Sequence, residues 1–130
     1  MNSYVADTHA LFWYLTASVR LGPDAKAAFD EAAAGAAKIV IPSIVVAELY
    51  FLNEKIGRPL DFAVEFGRLH QASQFMFVAF ESDDVLDFDS DKAVPEMHDR
   101  IIAGTARRLQ STCLTLDPAI IRSGIIPTRW

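Results

Sequence analysis

The chain has 130 residues, 52% of them hydrophobic, with one cysteine and a formal charge of −5 at pH 7. That length fits a single domain, residues 1–130, with a genuine core. The acidic balance excludes a nucleic-acid binder that works through bulk positive charge, and one cysteine excludes an internal disulfide. No apolar run approaches the roughly 18–20 residues of a membrane span. The opening MNSYVADTH lacks a basic stretch followed by a long apolar one, so no secretory leader is expected and a reducing cytoplasm is the natural setting.

Strands and helices alternate along the chain. Residues 3–6 read as a short strand and 8–16 as a helix with Leu11, Phe12 and Leu15 on one side. After the break Gly22-Pro23-Asp24, Asp24 is placed to cap an Ala-rich helix to about residue 34. The run 38–41 is a buried strand. Pro42-Ser43 then opens a helix with Val45, Leu49, Leu52 and Ile56 at helical spacing. A further helix covers about 60–71 and a strand 75–80, and Ser82 or Asp83 is expected to cap a short helix. Residues 90–95 are a loop, 97–110 a helix and 112–115 a strand. Asp117-Pro118 opens a last short helix, and Ile125–Ile126 reads as a terminal strand. Such alternation, with apolar β-branched strands, implies a parallel sheet covered on both faces. Ligands of such sheets bind beyond the carboxyl ends of the strands.

Four acids stand apart from the other charges. Asp7 directly follows the first strand and Asp117 follows the fourth. Glu48 lies about 60° from the centre of its helix's apolar stripe, and Asp99 is similarly close to the Ile102/Ala106/Leu109 stripe. Each has an ordinary explanation taken singly. Asp7 and Asp117 suit helix N-caps, Asp99 suits a first turn and Glu48 an ion pair. Taken together, two strand ends and two helix margins would bring four carboxylates to one rim. Like charges held together need cations, and Mg²⁺ or Mn²⁺ prefers carboxylate and water oxygens. One or two such ions orient a phosphodiester and activate water. Neither GxxxxGK[ST] nor GxGxxG occurs.

The segments YVADTHALFWYL, SIVVAELYFL, MHDRIIAGTARRL and LTLDPAI resemble PIN-domain proteins, above all VapC-type toxins of bacterial toxin–antitoxin pairs. The resemblance spans nearly the whole chain, with the motifs in order. It implies a PIN-like three-layer α/β/α fold with a central, mostly parallel sheet of about four or five strands. It also implies that Asp7, Glu48, Asp99 and Asp117 are the metal-binding and catalytic acids, with Thr115 supplying a supporting hydroxyl. The implied activity is a Mg²⁺- or Mn²⁺-dependent endoribonuclease, inhibited by a small antitoxin and commonly a homodimer. Competing expectations are a structure-specific DNA nuclease of the same fold and a PIN-like binding module that has lost catalysis.

Arg100, next to Asp99, is a candidate phosphate contact, whereas Arg107 and Arg108 read as solvated or salt-bridged. Asp87, Asp89 and Asp91 mimic the start of a calcium loop, but Lys92 and His98 occupy the positions that need Gly and Glu. The acid-rich stretch 82–96 would weaken RNA binding if it faced the site. His9, His70 and His98 are too scattered for a zinc motif, and Cys113 reads as core. A helix cannot bury Phe12, Trp13 and Tyr14 on one face. Some of these, with Tyr50 and Phe51, are candidates for a dimer or antitoxin groove.

Overall fold

The computed structural model describes residues 1–130. Five strands form one sheet: β1 (Asn2–Ala6), β2 (Ala37–Pro42), β3 (Phe75–Val78), β4 (Thr112–Leu114) and β5 (Thr128–Arg129). The sheet order is β3-β2-β1-β4-β5, and every neighbouring pair is parallel. Six α-helices connect them: α1 (Thr8–Leu15), α2 (Pro23–Ala33), α3 (Ser43–Lys55), α4 (Phe62–Gln71), α5 (Met97–Arg108) and α6 (Pro118–Ser123). A 3₁₀ helix, Ser82–Asp87, follows β3. The result is a three-layer α/β/α arrangement. None of the helices is long and apolar enough to cross a membrane.

The core lies where β1, β2 and β4 meet the helices. Val5, Ala6, Ile39, Val40, Ile41, Cys113 and Leu114 are fully enclosed, together with Leu11 and Phe12 of α1, Val45 of α3 and Ile102 of α5. Strands buried on both faces carry continuous apolar runs, which is why residues 39–41 read IVI. Phe12 is buried, Tyr14 stacks on Phe29 with ring centroids 4.1 Å apart, and Trp13 is half-buried. The sequence argument that α1 cannot bury three consecutive aromatics therefore holds.

Three local expectations need correction. The terminal strand is Thr128–Arg129, not Ile125–Ile126. Ile126 is buried as packing, whereas Thr128 and Arg129 take the ladder positions opposite Cys113 and Leu114. Helix α2 begins at an N-cap Gly22 with Pro23 as its first residue, so Asp24 is a first-turn acid and not the cap. Gly22 has no room for a Cβ because Trp130 lies against it. The 3₁₀ helix is capped by Glu81 in a reciprocal box with Asp84, not by Ser82 or Asp83.

Candidate active site

The order of the strands fixes where a ligand cleft can form. The chain runs from β1 outward to β2 and β3 on one side, and to β4 and β5 on the other. The carboxyl ends of β1 and β4 therefore flank the topological switch point, where open parallel sheets leave a crevice. The Asp7 N–H donates to the Leu114 carbonyl at 3.1 Å, tying the two strand ends together.

Asp7 leaves β1 and caps α1. Its Oδ1 accepts from the Ala10 N–H at 2.8 Å. Asp117 caps α6 in the same way, with Oδ1 accepting from the N–H groups of Ala119 and Ile120 at 2.9 and 3.1 Å. Asp117 is itself held by its own N–H, which donates to Thr115 Oγ1 at 3.0 Å. Asp99 sits in the first turn of α5, and its N–H donates to the capping Glu96 at 2.7 Å. Three of the four acids thus stand at helix N-termini, where the helix dipole favours negative charge. Glu48 is half-buried on α3. Its Oε1 accepts from the Thr8 hydroxyl at 2.7 Å, and no arginine pairs with it.

All four acids line one cavity of about 910 Å³. Each ion pair within 4.0 Å in the molecule uses other carboxylates. Capping and facing the cavity are compatible, because the two caps use one oxygen each. No buried side-chain oxygen or nitrogen lacks a partner, so carboxylate oxygens left free of hydrogen bonds open onto the cavity.

Proton affinities record the crowding. Burial, then the charges of Asp117, Glu96 and Glu48, push the Asp99 carboxyl from 3.8 to about 6. A hydrogen bond with Asp117 adds to the rise by favouring the protonated acid. Burial also raises Asp7, and Asp117 adds to this, against the Thr115 hydroxyl, the Ala10 N–H and His9. Burial pushes the Cys113 thiol well up, with contributions from Asp7, Asp117 and Asp99.

The four carboxylates fit a hard divalent cation, and no thiolate faces the cavity; His9, His98 and Lys55 share its wall without forming an ion pair with any of the four. As the side chains stand, they do not close into a cluster of three or more donors ready to ligate an ion.

The PIN domain family profile matches residues 4–124. The chain belongs to the PIN domain family. PIN domains are generally nucleases. Among solved structures, this PIN domain is similar to VapBC2 from Rickettsia felis bound to a DNA fragment from their promoter. The TM-score is 0.71 at 16% identity, covering 98% of this chain and 97% of that one. It is also similar to FitAcB from Neisseria gonorrhoeae, with a TM-score of 0.67 at 18% identity over 96% and 95% of the two chains. FitAB bound to an IR36 DNA fragment gives a TM-score of 0.66 at 16% identity over 97% and 93%. At these identities the likeness shows the fold. A search of curated proteins finds no match.

Arg100 is not on the cavity wall. Its guanidinium donates to the carbonyls of Val94 at 2.7 Å, Phe88 at 3.3 Å and Pro95 at 3.5 Å, so it clamps the preceding loop. Thr115 is buried beneath the site between Asp7 and Asp117 and does not line the cavity. Sequence reasoning missed Thr8, Lys55 and Trp130, all on the cavity wall. Lys55 had a sufficient explanation as a helix C-terminal cation, and nothing in the pattern around Thr8 or Trp130 distinguishes them.

Proposed function

We propose that this protein is a Mg²⁺- or Mn²⁺-dependent endoribonuclease, the toxin of a toxin–antitoxin pair. The observation that carries the nuclease reading is the convergence of Asp7, Glu48, Asp99 and Asp117 on one cavity, none of them held in an ion pair. Membership of the PIN family and the VapBC and FitAB structural neighbours support the toxin role.

The chemistry an ion supplies when bound there is Lewis-acid polarisation of the scissile phosphodiester and activation of water. Asp7 and Asp117, held by their capping hydrogen bonds, would supply carboxylate oxygens to it. Asp99 would give up its proton near pH 6 as the ion enters, so ion binding weakens on acidification. Ile44, Leu52 and Ile102 supply apolar wall beside the acids. No side chain need act as the nucleophile.

The antitoxin is proposed to dock beside the cavity, where Phe51 is 71% exposed and Tyr50 and Leu116 are also open to solvent. Homodimerisation and a cytoplasmic setting belong to the same proposal. The test is cleavage of RNA in Mg²⁺ by wild type, Asp7→Asn and Asp99→Asn. Wild-type rates in either variant would show the site assignment to be wrong. Induced expression is expected to arrest growth, and a short adjacent reading frame that encodes a DNA-binding protein is expected to relieve the arrest when co-expressed. Unaffected growth would count against the toxin role.

A further inference from the structure

Glu48 differs from the other three acids in how it is held. Asp7 and Asp117 are fixed by backbone N–H groups of helices they cap, and Asp99 by its place in the first turn of α5. Glu48 lies mid-helix on a longer side chain, with no cap to make and no ion pair within reach. Its recorded hydrogen bond is the one from Thr8 Oγ1, at 2.7 Å across 40 residues of sequence. Thr8 is 8% exposed and is the first residue of α1, immediately after Asp7.

We infer that Thr8 is a positioning residue, whose hydroxyl aims the Glu48 carboxylate at the cation that Asp7 also serves. The inference rests on the metal-site reading above and deepens it. A hydroxyl suits the task for three reasons. It donates to one carboxylate oxygen and leaves the other free for a cation. It adds no positive charge, so it does not compete with the cation as an arginine or lysine would. Its side chain is short, with the hydroxyl on a single rotatable bond, so little freedom is lost in holding it 2.7 Å from Glu48 Oε1. The dipeptide Asp7-Thr8 thus brings one carboxylate directly and orients a second through its hydroxyl, so that β1, α1 and α3 share one site. Without the hydroxyl, Glu48 would sample several rotamers, and a ligating carboxylate that loses its supporting hydrogen bond costs about 10–100-fold in metal affinity.

The experiment is calorimetric titration of Mn²⁺ into wild type, Thr8→Val, Thr8→Ala, Thr8→Ser and Glu48→Ala, and into the double variant of Thr8→Val with Glu48→Ala. Circular dichroism and melting curves check that each variant folds. The expected result is a Mn²⁺ affinity at least about 10-fold weaker in Thr8→Val and Thr8→Ala, and within about 3-fold of wild type in Thr8→Ser. Thr8→Val should add nothing once Glu48 is removed, because the two changes act through one hydrogen bond. Wild-type affinity in Thr8→Val, an undiminished loss in the double variant, or failure of Thr8→Ser to rescue would overturn the inference and leave the metal site standing. A wild-type chain that takes up no Mn²⁺ would instead sink the metal site, and this inference with it.

Discussion

Between Glu81 and Glu96 the chain carries an acid at almost every second position, yet the three acids that anchor this segment are answered by arginines. Arg107 Nε donates to Asp91 Oδ1 at 2.5 Å and its terminal nitrogen to Oδ2 at 3.1 Å, in a bidentate pair. Arg108 reaches Asp87 at 3.2 Å and Asp84 at 3.8 Å. Asp91 is 1% exposed and lies so close to Gly104 of α5 that an added Cβ there would fall 2.7 Å from its Oδ2. Asp7, Glu48, Asp99 and Asp117 have no such partners; burial, and then neighbouring acids, raise the proton affinity of Asp99 and Asp7. One acidic set straps a loop to α5; the other is left open on a cavity. An acid's function follows from what stands opposite it and not from how many acids surround it in sequence. The pairing answers Asp84, Asp87 and Asp91 at the far end of α5, whereas Glu96 stays near enough to the cavity to raise Asp99.

The contrast can be broken first at the open set. Asp99→Asn should lower RNA cleavage in Mg²⁺ by at least about 100-fold, because a ligand's loss exceeds the cost of losing its supporting partner. Its fold should survive, which urea unfolding in EDTA would check. At the paired set the effects are reversed. Asp91→Asn should cost about 2 kcal/mol of stability by leaving Arg107 without its charged partner, read in a urea melt. The specific activity of the folded protein should be unchanged. Arg108→Ala should cost under about 1 kcal/mol, since its pairs with Asp84 and Asp87 are longer and partly solvated.

The smallest expected effect concerns pH in the presence of EDTA. The Asp99 carboxyl binds its proton more tightly in the folded chain, at about 6, than its ordinary value of 3.8. Stability therefore falls as pH rises from about 4 to 6, and the penalty is complete above 6. Asn carries no charge, so Asp99→Asn should be more stable than wild type at pH 8, with the gain vanishing toward pH 4. Melting temperatures across that range would show it. A variant equally destabilised at every pH would mean that burial and the neighbouring acids do not raise the Asp99 carboxyl.

Strands β1, β2 and β4 were legible because fully buried strands are short apolar runs bounded by helical periodicity. Strand β5 was misplaced because two residues carry no period, and the apolar pair Ile125–Ile126 stands next to the segment that makes the ladder. Strand order was not legible at all. The switch point between β1 and β4 depends on which helices cross which face, and local pattern does not encode that. The four acids were legible as margins of apolar elements, and their ordinary capping roles proved real for Asp7 and Asp117 without excluding the site. The direction of the Arg100 guanidinium was hidden, because its partners are loop carbonyls that no side-chain motif announces. Thr8 was hidden for a similar reason: its partner is 40 residues away.

The most direct measurement is calorimetric titration of Mn²⁺ into the wild-type chain and into Asp99→Asn at pH 7.5 (a pH about 1.5 units above the Asp99 carboxyl's value of about 6). Saturable binding at millimolar concentration or tighter in the wild type, at least about 10-fold weaker in Asp99→Asn, is the predicted result. No Mn²⁺ binding by the wild type at millimolar concentration would contradict it.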